Sequence, residues 1–243
     1  MELTKKETIN IVIVAFIAAF VFSFNEWGIG SFDFSTGLKN LSISFVLCII
    51  VYSIYVLAEK LVARYYEYGI SFEILTIEKK IKEVRRIVKI PIGPLVTLFI
   101  TLASVGKFSF VILNSFKLVP DGELRTGRRW TGVKEFEEAQ VALSGPLSLV
   151  VLLVIFKTLS PFSQVFEKGM FIASTIMIFN LLPLPKVDGS KIFFGSFPLY
   201  VTSLIFSVAF VLLIFYLSII QTIILALVIA LAVGIAYLYK INS

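Results

Sequence analysis

A run of 48 residues, from position 192 to position 239, contains no charged side chain. A helix needs roughly 20 mainly apolar residues to cross a bilayer, so this run has the length of two crossings joined by a turn. We predict that the turn lies near residues 218–221. The whole chain is 58% hydrophobic and 16% charged, which excludes an ordinary water-soluble globular domain and also a disordered chain.

Further apolar segments predict more membrane-spanning helices, at residues 9–24, 41–57, 90–114, 139–156 and 166–182. Lys5 and Lys6 precede the first segment, which we expect to remain as an uncleaved span because no small-residue cleavage pattern follows it. The chain is therefore predicted to be an all-α polytopic membrane protein with six or seven spans. We divide it into an N-terminal span with an external loop (1–40), a membrane core (41–191) and a C-terminal helix hairpin (192–243).

The distribution of basic residues predicts the orientation in the cell membrane. Residues 59–89 contain eight lysines and arginines, whereas residues 25–40 contain only Lys39. The positive-inside rule therefore places the N-terminus and residues 59–89 in the cytoplasm. Residues 115–138 contain five more basic residues, although simple alternation of spans would place them outside. We therefore expect residues 90–114 to be re-entrant, or broken near Gly106 and Lys107.

Two segments next to the membrane have patterns of their own. Residues 70–77 are β-branched and aromatic and predict a short strand with Phe72, Ile74 and Thr76 on one face. Beyond it, apolar residues at 77, 81, 84 and 88 recur at helical spacing and predict a basic amphipathic helix. Such a helix binds anionic lipid headgroups, unless its basic face is merely solvated; no nucleic-acid binding is expected. The predicted headgroup contacts are Lys79, Lys80, Lys82, Arg85, Arg86 and Lys89.

The chain contains no histidine and a single cysteine, Cys48. This composition removes the commonest metal ligand and general base, together with any Ser-His or Cys-His pair. A serine–lysine pair would need a lysine at membrane depth, for which Lys107 is the candidate. The alternative is that Lys107 extends to the membrane surface from a helix break.

Residues 179–189, which read FNLLPLPKVDG, are the most informative segment. Pro183 and Pro185 oppose helix formation, and Asp188 follows with Gly189 after it. Unpaired backbone groups and a carboxylate are costly at membrane depth unless they line a polar cavity. The alternative is an ordinary helix end with Asp188 at the headgroups. A second motif, LSGPL at residues 143–147, contains the small residues that permit close packing of helices, at Ser144, Gly145 and Pro146.

These two motifs, in this order, resemble those of the site-2 protease family of intramembrane zinc metalloproteases. The resemblance implies a site-2-protease-like core over residues 44–191, with Asp188 at the position of a zinc ligand and Asn180 beside the substrate path. It also implies a groove formed by Asn180, Pro183, Pro185, Asp188 and Gly189.

The third motif of that family, His-Glu-x-x-His, is missing. Its expected place is the helix around residues 55–64, where one alignment puts Tyr55 and Glu59 at the histidine positions and the other keeps Glu59 as the glutamate. Glu59 and Asp188 offer two oxygen ligands, whereas catalytic zinc takes three protein ligands and a water. We therefore expect no bound metal or other cofactor, with Tyr55 filling the vestigial metal cavity beside Glu59 and Asp188.

The sequence thus predicts a pseudoprotease, a non-catalytic scaffold or complex subunit that binds another membrane protein or transmembrane segment. Two alternatives stay open. One is an active intramembrane metalloprotease with atypical ligands. The other is a small transporter or channel whose pathway is lined by Lys107 and Asp188.

Overall fold

The computed structural model describes residues 4–28, 32–81, 86–120 and 133–242. Within them the chain is mostly helical, and a single turn of 3-10 helix, Ser160–Phe162, lies between the fourth and fifth α-helices. The helices are α1 (Lys5–Ser23), α2 (Phe34–Tyr65), α3 (Ile92–Ala103), α4 (Glu135–Leu159), α5 (Gln164–Asn180), α6 (Asp188–Gly195), α7 (Phe197–Ile214) and α8 (Ile219–Asn242).

Five of these helices are long and apolar enough to cross a membrane: α1, α2, α4, α7 and α8. This confirms the membrane-protein prediction, and the hairpin of α7 and α8 turns near the predicted residues. Of the other two predicted spans, α5 has 17 residues and α3 only 12. The predicted division points of the chain, after residues 40 and 191, fall inside α2 and α6.

A hydrogen-bonded cap begins α1, and one ion pair joins α1 to α2. The Thr4 hydroxyl accepts from the Glu7 amide while Glu7 accepts from the Thr4 amide, which satisfies amide groups that the first turn leaves free. The Glu7 carboxylate is also 2.8 Å from the Lys60 ammonium of α2, and both side chains are largely buried. Because a half-broken buried pair is costly, this contact aligns the N-terminal end of α1 with the C-terminal part of α2.

The core lies where α2 and α4 pack against α1, α5 and α6. Small residues allow this close approach, because Ala15, Ala18 and Ala19 of α1 are completely buried. Large apolar side chains on the outer faces, such as Phe16, Val46 and Val151, are exposed as lipid contact requires. The α8 helix packs mainly against α7 and is the least buried of the five candidate spans.

Two small antiparallel sheets follow α2. Strand β1 (Tyr68–Ile74) pairs with β4 (Asn114–Pro120), with Phe72 opposite Phe116, so the predicted strand is confirmed although it ends at Ile74. Strand β2 (Ile77–Ile81) pairs with β3 (Arg86–Ile90), with Ile77 opposite Ile90.

The predicted basic amphipathic helix over residues 77–88 is therefore wrong. Its isoleucines and valines, at helical spacing, are also β-branched residues that favour strands, and pairing of β2 with β3 prevails here. Of the predicted headgroup contacts, Lys79 and Lys80 lie on β2 and Arg86 and Lys89 on β3. Lys82 and Arg85 lie outside the described residues.

The segment that begins with α3 leads away from Leu75 and then returns to it at Leu113. The Leu75 amide donates to the Leu113 carbonyl (2.8 Å), and the Gly93 amide donates to the Leu75 carbonyl (3.1 Å), so both ends of the excursion meet at Leu75. Its far turn packs Gly106, which has a positive φ of 71°, against Phe24 and Asn25 at the end of α1. The direction of the chain therefore reverses near Gly106 and Lys107, where a break was predicted.

Cysteine labelling tests the re-entrant path. In a Cys48→Ala background, Tyr65→Cys at the C-terminal end of α2 and Val119→Cys on β4 should react with a membrane-impermeant maleimide from the same side, because β1, which follows α2, is paired with β4. Both wild-type side chains are exposed. Phe32→Cys, at the opposite end of α2, is the control and should react from the other side. Labelling of positions 65 and 119 from opposite sides would contradict the path.

Candidate functional site

A break between α5 and α6 forms the centre of the candidate site. Helix α5 ends at Asn180, residues 181–187 are not helical, and α6 begins at Asp188. Two local hydrogen bonds shape the break, from the Leu184 amide to the Leu182 carbonyl (2.7 Å) and from the Val187 amide to the Leu184 carbonyl (3.1 Å). The predicted non-helical segment is confirmed. It covers residues 181–187, while Asn180 and Asp188 belong to the flanking helices.

The Asp188 carboxylate is completely buried and has two partners. The Tyr55 hydroxyl of α2 donates to its Oδ2 atom at 2.5 Å, and the Lys191 ammonium lies 3.5 Å from its Oδ1 atom. Lys191 also donates to the Phe116 carbonyl at 2.9 Å and lies 3.0 Å from the centre of the Phe116 ring. These contacts join α2, α6 and β4, and they confirm that the break faces the Tyr55 side of α2.

Glu59 lies one turn beyond Tyr55 on α2 and is also completely buried. Within the described residues neither of its carboxylate oxygens has a hydrogen-bond partner.

Gly145 of α4 makes room for Tyr55. A Cβ atom at Gly145 would lie 2.4 Å from the Tyr55 ring, so any larger residue would displace that ring. Pro146 is buried beside Gly145, and the neighbouring Ser144 hydroxyl donates to the Val141 carbonyl. Gly145 is therefore a point of close approach between α2 and α4.

Asn180 and Gly189 flank the break, at the end of α5 and in the first turn of α6. The Asn180 amide nitrogen donates to the Ile176 carbonyl at 2.9 Å, while its oxygen has no donor within the described residues. A Cβ atom at Gly189 would lie 2.3 Å from the Leu181 carbonyl oxygen, so only glycine permits this contact between α6 and the break. Both residues are buried.

A cavity of about 610 Å³ lies beside this cluster. Pro183 and Pro185 line it, as predicted for the groove, whereas Asn180, Asp188 and Gly189 are buried and do not line it. The other lining residues are Glu135, Glu138, Lys186, Ser190, Lys191, Phe194 and Gly195.

Sequence reasoning did not identify Lys191, Phe116 or Glu138 as members of this site. Lys191 follows Asp188 by three residues, a spacing that brings side chains together on a helix, so the sequence held a signal for that pair. Phe116 and Glu138 reach the site through β4 and α4, and nothing local in the sequence indicates that approach.

Lys107 is exposed and follows Gly106, which packs at the C-terminal end of α1. The next residue, Phe108, packs against Phe179 near the end of α5, with 5.9 Å between ring centres. Within the described residues no hydrogen bond or ion pair joins Lys107 to Asp188, whose partners are Tyr55 and Lys191.

Among the described residues, no group of three or more acidic or cysteine side chains is placed to hold a metal ion. Glu59 and Asp188 form a pair, and the Tyr55 hydroxyl lies against one of them. Comparison with protein-family models, curated proteins and solved structures finds no match to this chain.

Proposed function

We propose that this membrane protein is a pseudoprotease: a non-catalytic scaffold with a site-2-protease-like core that binds a transmembrane segment of another membrane protein. The hydrogen bond from Tyr55 to Asp188 carries this proposal. It lies where the resemblance of the two motifs would put a zinc ion, and it uses the carboxylate that would otherwise be a ligand.

The chemistry of the cluster favours binding over catalysis. Zinc in catalytic sites takes three protein ligands and a water molecule, and the two carboxylates Glu59 and Asp188 are one ligand short. Lys191 beside Asp188 adds a positive charge that opposes a second cation. An active protease with an atypical ligand set is the alternative that metal analysis distinguishes.

The cavity beside the cluster is suited to a chain segment that leaves helical structure. Pro183 and Pro185 are exposed along its wall, and within the described residues no hydrogen bond to either carbonyl is found. Unpaired carbonyls are tolerated at membrane depth where protein or water faces them. An unwound segment of a partner would offer amide donors to these carbonyls, and Phe194 at the rim would pack against its side chains.

The first test is the metal content. Purified protein that is incubated with equimolar zinc and then desalted should retain much less than one zinc per chain, and Asp188→Ala should not change that value. Glu59→Gln should leave the protein's cellular role intact. About one zinc per chain, lost in Asp188→Ala, would support the active protease and contradict the scaffold.

The second test is partner binding in native membranes. Phe194 is 75% exposed at the cavity, so a photoreactive benzoylphenylalanine at position 194 should form a discrete adduct with a membrane protein. Mass spectrometry should map the adduct to a transmembrane segment of that partner. The same side chain at Phe16, which is 54% exposed on α1, is the control and should give only lipid adducts.

Equal adducts from positions 194 and 16, or none from position 194, would contradict partner binding at the cavity. The two tests are independent of each other. A discrete partner adduct from a protein that retains no zinc supports the scaffold, whereas retained zinc with no partner adduct contradicts it.

A further inference from the structure

A second, larger cavity lies at the other end of the bundle. Its volume is about 990 Å³, and it is lined by residues that follow α1, by the start of α2 and by the start of α5. It is therefore separate from the cluster around Asp188. The lining residues are Asn25, Glu26, Gly28, Asp33, Thr36, Lys39, Asn40, Ile43, Gln164, Val165, Lys168 and Phe171.

Aromatic side chains place this cavity at the level of lipid headgroups. The Trp27 ring stacks on Phe32 with 5.7 Å between ring centres, and it lies 6.1 Å from Phe34. Gly37 admits the Trp27 ring, because a Cβ atom there would lie 2.1 Å from it. Tryptophan is enriched where a membrane meets water, and two candidate spans, α1 and α2, end at this cluster.

A network of polar contacts forms one wall of the cavity. The Lys168 ammonium pairs with the Glu26 carboxylate and lies 3.5 Å from the Asn40 carbonyl. The Asn40 side chain in turn donates to the Glu26 carbonyl at 2.9 Å. The three contacts join the connection after α1 to α2 and α5, so the cavity wall is held by the fold.

Several polar groups at the cavity are unused within the described residues. Lys39 is exposed and makes no hydrogen bond or ion pair there, and the carboxamides of Asn25 and Gln164 make no hydrogen bond. Glu26 uses one carboxylate oxygen for Lys168, which leaves the other oxygen available. Hydrogen bonds from the Thr36 hydroxyl and the Ser35 amide lower the pKa of Asp33, so a second negative charge is present at neutral pH.

The cavity also has an apolar exit. Ile43, Val165 and Phe171 line it, and Phe171 is 51% exposed on the outer face of α5. A ligand with a charged head and an apolar tail would therefore find polar groups inside and a lipid-facing surface at the exit.

We propose that this cavity binds the headgroup of a zwitterionic phospholipid that carries a primary ammonium group. Lys39 pairs with the phosphate, and the carboxylates of Glu26 and Asp33 accept hydrogen bonds from the ammonium. The lining contains two acids and two lysines, and Lys168 already pairs with Glu26. An anionic lipid would pair with Lys39 but would bring no ammonium to the remaining acceptors of Glu26 and Asp33, and a quaternary ammonium lacks the protons that these carboxylates accept. The acyl chains follow the exit along Phe171.

Native mass spectrometry of the full chain in detergent tests this site with three probes: phosphatidylethanolamine, phosphatidylcholine and phosphatidylglycerol. We expect phosphatidylethanolamine to bind most tightly. Lys39→Gln should weaken its binding about fivefold, because one exposed charged contact is lost. Glu26→Gln should reduce the preference over phosphatidylcholine. Lys157→Gln is the matched control, because Lys157 lies near the same end of the bundle but does not line the cavity.

Three results would overturn the proposal. The first is equal binding of the three lipids, and the second is unchanged binding of phosphatidylethanolamine in Lys39→Gln. The third is equally tight binding of glycerophosphoethanolamine, which lacks acyl chains and would indicate a soluble zwitterion as the ligand. None of these results depends on the pseudoprotease proposal, which concerns the other end of the molecule.

Discussion

The hydrogen bond between Tyr55 and Asp188 joins α2 directly to α6, and both of these helices also pack against α4. Tyr55 belongs to the long central helix α2, and its ring occupies the space that Gly145 leaves on α4. Asp188 begins α6 directly after the break in the chain. Because a buried carboxylate without a donor is costly, the contacts from Tyr55 and Lys191 stabilise Asp188 in its buried position next to the break. The position of the cavity beside the break follows from this contact.

The two ends of the bundle differ in ways that suit different ligands. At one end, the broken backbone and exposed Phe194 border a cavity with two acidic residues, Glu135 and Glu138. At the other end, the ion pair of Lys168 and Glu26 lies next to the stacked rings of Trp27 and Phe32. We propose a protein segment as ligand for the first cavity and a lipid headgroup for the second. A scaffold that holds both would orient a partner segment relative to the bilayer.

The parts of the fold that were predictable are those that depend on local composition. Long uncharged runs predict the helices, and Pro183 and Pro185 predict the break, because their effects require no distant partner. The residues of β2 and β3 were predicted as a helix because their apolar side chains recur at helical spacing. That spacing does not show whether β-branched residues will pair with a second strand. At the site, Tyr55 and Asp188 were predicted together. The approach of Phe116 depends on the return of the re-entrant segment, which the basic residues only suggested.

A double-mutant cycle on Tyr55 and Asp188 tests the central claim most directly. The unfolding free energy would be measured in detergent for the wild type, Tyr55→Phe, Asp188→Asn and the double variant. If the hydrogen bond joins α2 to α6, the two losses should fail to add, with a coupling energy of about 1–3 kcal/mol. Losses that add to within about 0.5 kcal/mol would show that the two residues act independently, and would contradict the account.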